Sequence, residues 1–393
     1  MSALQQSAFL EKFSCLGDKC ADTCCKGWRM QLDEKIYQKY VEHAPELLDA
    51  VVSDGTTHIM KRDDVTDYCV KFSNGLCGIH QDKGTDFLGD ACNFFPRITS
   101  TLGEHIIMTA ALSCPEIARL ALTEDNSFSH QGSEILRLPS SLKNYLPPEL
   151  SADAALQIHQ QFLQITQRKE LSSANIMAQI FSVTQSLEHI EIANWAEASA
   201  FYLKNAAARL PTPEIVPDDP FNLLHALAGL VGATKPAIKR PKLDGIIADI
   251  ATALDASIIH QASGTAMTTS DNSYRNWLKI EQAWQKNEAD FEPILRRWIT
   301  AQLAAALFPF GGFGESLTER ASIIAIRLST VKLALMVASN QKTTPLAEEE
   351  TLNIIQTLAR FLDHLADPSL SIKIYREAGW LREPRLRALL RDF

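Results

Sequence analysis

Eight cysteines, Cys15, Cys20, Cys24, Cys25, Cys69, Cys77, Cys92 and Cys114, lie in the first 114 residues of a 393-residue chain. A thiolate is a soft ligand, and several together suit zinc or an iron–sulfur cluster. If residues 20–25 were helical, Cys20 and Cys24 would share a face. Cys25 would then point about 100° away from Cys24. The spacing therefore predicts a loop-like wrap, or two separate uses for the adjacent pair Cys24 and Cys25. Eight thiols exceed the four of a closed zinc site. They leave open one cluster with spare thiols, two clusters, or a cluster with zinc. Cys69 and Cys77 also read as small buried hydrophobes, and the proline after Cys114 parallels the end of a ferredoxin run.

A net charge of −9 speaks against a nucleic-acid partner, which requires clustered Lys and Arg. The first residues, MSALQQSAFLEKF, lack a basic start followed by an apolar run. The expectation is a cytoplasmic chain with reduced thiols, in which grouped cysteines bind metal or do redox chemistry. The most apolar stretches, 221–233 and 322–338, fall short of the roughly 18–20 apolar residues needed to span a bilayer. Either stretch has the makings of a surface that touches a membrane, which keeps a peripheral position at the inner membrane open.

These residues need elements to hold them. Apolar and aromatic positions from Leu32 to Leu48 recur at helical spacing, with Asp33 as the cap. β-branched residues after His105 predict a minor hairpin at about 97–112. From Ser151 onward Ala, Leu, Ile and Gln recur at helix spacing, with helices expected over 275–307, 316–339 and 347–365. Proline clusters place connectors at 209–221 and 234–242. The fold class is mainly α: a cysteine-rich metal-binding segment of short helices and a minor hairpin over 1–120, a connector at 121–150, and an α-helical domain over 151–393 subdivided near 209–242.

The run Phe13-Ser-Cys15-Leu-Gly-Asp-Lys-Cys20-Ala-Asp-Thr-Cys24-Cys25-Lys-Gly-Trp28, followed by Leu32-Asp33, Tyr37 and Tyr40, resembles the opening motif of the flagellin lysine-N-methylases. Asn74-Gly75-Leu76-Cys77, Cys92 with Pro96-Arg97, Ser113-Cys114-Pro115-Glu116 and Phe308-Pro309-Phe310 follow in that family's order. The resemblance implies methyl transfer from S-adenosylmethionine to lysines of flagellin, in the cytoplasm. It also implies an iron–sulfur cluster, with 4Fe–4S the leading type and zinc the alternative. All eight cysteines are candidate ligands, and a homo-oligomer fits the reading.

Lysine attacks a methyl sulfonium only as the neutral amine, so with an ordinary pKa of about 10.4 it must lose a proton. Asp33 and Tyr37, spaced i, i+4 beside the cysteines, are the candidate catalytic pair, against the plainer roles of cap and core residue. Trp28 is the candidate cofactor residue, its ring suited to a sulfonium through a cation–π contact of about 0.5–2 kcal/mol. The glycines at 311, 312 and 314 follow no strand and read equally as a turn. A second function class shares the motif: a noncatalytic zinc- or iron–sulfur protein that docks a partner through its helical half.

Overall fold

The computed structural model describes residues 4–55, 57–133, 137–205, 219–233, 240–261, 264–365 and 368–391. The fold is mainly α. The expected hairpin is present, Arg97–Leu102 pairing antiparallel with His105–Ala110 around a turn in which Gly103 takes φ +60°. It belongs to something larger. The strand Leu4–Ser7 lies parallel to His105–Ala110 and antiparallel to His130–Ser133, and Lys143–Asn144 joins Arg97–Leu102, giving five strands. Pairing across about a hundred residues leaves no local periodicity to read.

Two hydrophobic cores follow. The larger packs Phe9, Leu102, Ile107 and Ile117 together with the helices Ala152–Ile165, Ser173–Leu187, Glu288–Ala305 and Leu317–Asn340. The smaller gathers Met30, Leu32, Ile36, Tyr40, Leu47, Met60, Cys69, Ile79 and Leu88. A cut at residue 120 passes through the larger core, because the sheet and the helix Pro115–Thr123 pack with the helical half.

The helix expected over 32–48 runs from Glu34 to His43, with Asp33 accepting the Ile36 amide at 3.0 Å as its cap. Pro45 then ends it, since proline cannot supply the next helical N–H, and a 3₁₀ turn continues from Pro45 to Ala50. The segment expected over 275–307 forms Ser273–Gln285 and Glu288–Ala305, and Leu317–Asn340 and Glu348–Leu362 answer the next two. An unanticipated hairpin interrupts the helical half, Ala256–Gln261 against Gly264–Thr269, where β-branched Ile258, Ile259, Thr265, Thr268 and Thr269 favour strands. Most of both expected connectors, at 206–218 and 234–239, lies outside the described residues.

Helix Leu317–Asn340 is long and apolar enough to cross a membrane, and 94% of its apolar window is buried inside the protein. It is apolar all round because other helices surround it. Its interior charges are paired: Lys332 with Glu288 at 2.9 Å, and Arg327 with Asp363 at 3.0 Å. The stretch 322–338 is therefore core, and so is much of 221–233, where Phe221, Leu224 and Leu227 are buried. Neither forms an outward apolar surface.

The chain's last helix, Glu383–Arg391, is tied back to the helix Asp219–Ala233 by a buried network. Asp219, fully buried, accepts from Arg385 at 2.7 Å and from the Trp380 indole at 3.1 Å. Asp219→Ala strands a buried guanidinium and should lower stability by about 3–5 kcal/mol. The midpoint of chemical denaturation checks this, and an unmoved midpoint would refute it.

Candidate metal centre and the cleft beside it

Residues 15–28 hold only a short 3₁₀ turn, Gly17–Lys19, and a single bridge from Lys26 to Tyr68, so Cys15, Cys20, Cys24 and Cys25 sit on a loop, the first of the two arrangements expected. Loop carbonyls lack helical partners and must find others. Arg360, on helix Glu348–Leu362, supplies them. Its guanidinium donates to the carbonyls of Asp22 at 3.0 Å, Thr23 at 2.8 Å and Lys26 at 2.6 Å, and pairs with the Asp22 carboxylate at 2.9 Å. One turn earlier, Gln356 donates to Asp22 Oδ2 at 2.9 Å and to the Ser113 carbonyl at 2.8 Å. The Cys69 amide donates to the Cys25 carbonyl at 2.8 Å, joining the loop to the smaller core.

The thiols fall into two neighbourhoods. Cys25 is in hydrogen-bond contact with both Cys24 and Cys77, and its own thiol is pushed far up as the donor. The same contact brings Cys77 down to about 6 and Cys24 down to about 7. Backbone amides of His80 and Ile79 add to the first shift, and the charge of Arg360 adds to the second. Burial pushes Cys92 up to about 12 and raises Cys69, and both lie within electrostatic reach of Cys77. Cys114, also raised by burial to about 12, feels Cys20 and Cys15. Cys20, raised by burial, feels Cys15 and Cys24 and so links the two sets.

This donor set is chemically suited to a soft metal: thiols only, partly withdrawn from water, two of them shifted toward thiolate. Among the described residues, no group of three or more His, Cys, Asp or Glu side chains is arranged to hold a metal ion. The thiols gather without closing a coordination shell.

Beside them opens a cleft of about 1330 Å³, between the loop carrying Cys20 to Met30, Arg240 at the start of helix Pro241–Ala253, and His364 in the turn that follows helix Glu348–Leu362. Trp28 stands at the junction. Its indole N–H donates to the Cys24 carbonyl at 2.7 Å, and its ring packs 5.0 Å from Phe95 and 4.7 Å from His364. The Arg360 guanidinium already lies over that ring, 4.5 Å from its centre. The cation–π place foreseen for a sulfonium is thus taken by the protein's own arginine, although Trp28 does line the cleft. His364 Nε2 lies 2.9 Å from the buried Ser113 Oγ, and burial holds its pKa below the usual histidine range.

Asp33 and Tyr37 lie elsewhere. Asp33 spends one carboxylate oxygen on its helix cap and the other on the Asp90 amide at 3.0 Å. Tyr37 stacks on His58 with ring centres 3.5 Å apart. Neither lines the cleft. The glycines at 311–314 form the turn after Phe310, where Arg320 donates to the Pro309 carbonyl at 2.7 Å. Arg360 and Gln356 went unread because on an amphipathic helix they look like an ordinary polar face, and His364 because it stands alone in the turn just past that helix.

Comparison with known proteins gives three partial likenesses. The flagellar biosynthetic protein FliU of Salmonella muenchen is 27% identical over 143 residues, covering 32% of this chain and 84% of FliU. The lysine-N-methylases of Salmonella typhimurium and Salmonella choleraesuis are each 24% identical over 143 residues, 34% of this chain and 35% of theirs. The match thus spans about a third of the length of the lysine-N-methylases. No family profile and no solved structure matches. Over about a third of its length the chain is thus similar to proteins named lysine-N-methylase and to a flagellar biosynthetic protein.

Arg360→Lys is expected to fail where Arg360 succeeds, because an ammonium cannot reproduce a planar fork spread over three carbonyls. Limited proteolysis should show faster cleavage within 15–28 in Arg360→Lys and Arg360→Ala, with the helical half still intact. Cleavage at the wild-type rate would show that the clamp does not order this loop.

Proposed function

We propose that this chain transfers methyl groups from S-adenosylmethionine to lysine side chains of flagellin, with cysteine thiols holding an iron–sulfur centre, 4Fe–4S in preference to zinc. The observation that carries the reading is the meeting of the thiol-bearing loop, Trp28 and His364 at one cleft, in a chain that shares a 143-residue likeness with lysine-N-methylases. Cys24, Cys25, Cys77 and Cys92 are the first choice of ligands, since they crowd together, with Cys15, Cys20, Cys69 and Cys114 as the remaining candidates. When bound, S-adenosylmethionine supplies a methyl group on a positively charged sulfur.

The protein's part is to deliver the acceptor as a neutral amine. Desolvation in the cleft and the positive charge of Arg360 both disfavour a lysine ammonium. His364, kept neutral by burial and so available as a base, is the proton acceptor, with Ser113 fixing the plane of its ring. Trp28 and Phe95 offer apolar faces along which the acceptor's methylene stem can lie.

Anaerobically prepared protein, labelled S-adenosylmethionine and flagellin should yield methyl-lysine. Removing a positioned acid–base group typically costs 10²–10⁴-fold, so His364→Gln should slow transfer by about 100-fold or more while S-adenosylmethionine binding persists. Absence of both binding and transfer in the holo-protein would leave a partner-docking metal protein in place of the enzyme. Normal transfer by His364→Gln would remove His364 from the chemistry.

A further inference from the structure

The lining of the cleft is unbalanced in charge. Lys26, Arg29 and Lys242 all line it, and among the described residues none of the three has a carboxylate partner. Lys26 lies over the Tyr68 ring, 4.8 Å from its centre, while Arg29 and Lys242 are exposed. Of the other lining charges, Arg240 lies over the Phe361 ring within electrostatic reach of Asp244 and Asp67, and the rest largely compensate one another. Arg62 pairs with Asp67 at 2.7 Å, Arg360 with Asp22, and the buried Asp363 with Arg327. Among the described residues, Asp18 is the one lining carboxylate that forms no ion pair. A positive cleft on a chain of net charge −9 concentrates an anionic partner there and excludes cationic ones. Its volume, about 1330 Å³, exceeds the roughly 300–1000 Å³ of ordinary small-molecule sites, so a length of polypeptide fits where a metabolite alone would leave space.

We propose that the cleft takes up an acidic protein segment, carboxylates near the acceptor lysine meeting Lys26, Arg29 and Lys242. The assignment rests on the methyltransferase reading for the identity of the lysine, but the binding does not. It also resolves a difficulty in that reading. Cations around the site favour the neutral amine, yet they repel the ammonium form as it approaches. Flanking carboxylates offset that repulsion and draw the segment in, after which the lysine sits among positive charges that ease loss of its proton. The substrate class is thus a lysine with acidic neighbours.

Binding is measured by fluorescence anisotropy on the full chain without methyl donor. The probes are a dye-labelled peptide with one lysine between aspartates and glutamates, and a matched peptide with serine and glutamine in their place. The acidic peptide should bind about tenfold more tightly, and added salt should erase most of the difference. The double variant Arg29→Glu, Lys242→Glu should remove the preference while its circular dichroism is unchanged. Lys242→Gln, a neutral change at an exposed position near the start of helix Pro241–Ala253, should reduce it in part and serves if the double variant misfolds. Equal binding of both peptides, or a preference untouched by the charge changes, overturns the proposal. So does tighter binding of a single-stranded oligonucleotide through the same residues, which would make nucleic acid the partner. If the acidic peptide binds through these cations yet no label is ever transferred, the cleft keeps its ligand and only the methyltransferase reading falls.

Discussion

The clamp of Arg360 on the loop at residues 22–26 is the interaction on which the rest of the site depends. A loop with two adjacent cysteines and almost no regular secondary structure cannot satisfy its own carbonyls. One guanidinium with a rigid fork of donors supplies three of them, and pairs with Asp22 as well. Charged hydrogen bonds contribute about 1.5–3 kcal/mol each, though not additively. The same side chain covers one face of Trp28 and helps to bring the Cys24 thiol down. The shape of the loop, the packing of its tryptophan and the electrostatics of its cysteine thus share one cause, and that cause lies more than 330 residues away in the chain.

The eight cysteines straddle two cores. Cys25, Cys69, Cys77 and Cys92 pack in or against the smaller core, while Cys114 packs against the larger. Cys114 also caps the helix Pro115–Thr123, which explains the proline beside it, since that position needs no N–H. A centre drawing on both sets would hold the two cores at a fixed distance and with them the walls of the cleft. Arg360 and Gln356 already bridge the same junction by hydrogen bonds. Metal and clamp would then reinforce each other, in keeping with the coupling of metal binding to folding.

What could be read in advance follows the range of the forces involved. The cap at Asp33, the hairpin after Arg97 and the helices after Leu317 rest on local spacing and turn chemistry, and they were legible. The loop-like course of Cys20 to Cys25 was one of the two arrangements that helix geometry left open. The parallel pairing of Leu4–Ser7 with His105–Ala110 was not, because register across a hundred residues leaves no periodic trace. Asp33 and Tyr37 attracted notice by proximity in sequence to the cysteines, but helix capping and stacking on His58 account for their positions. His364 is distant in sequence from the cysteines and reaches the cleft only through tertiary packing. A lone histidine in the turn after a helix carries no signal of its own.

The most direct test of this account is to purify the whole protein without oxygen and measure iron, acid-labile sulfide and zinc per folded chain. The account predicts iron and sulfide in stoichiometric amounts, lost when Cys24, Cys25 and Cys77 are replaced together by serine, with the helical half still folded by circular dichroism. A fully folded protein that carries neither iron nor zinc when handled this way would contradict it, leaving the gathered thiols as packing residues of the smaller core.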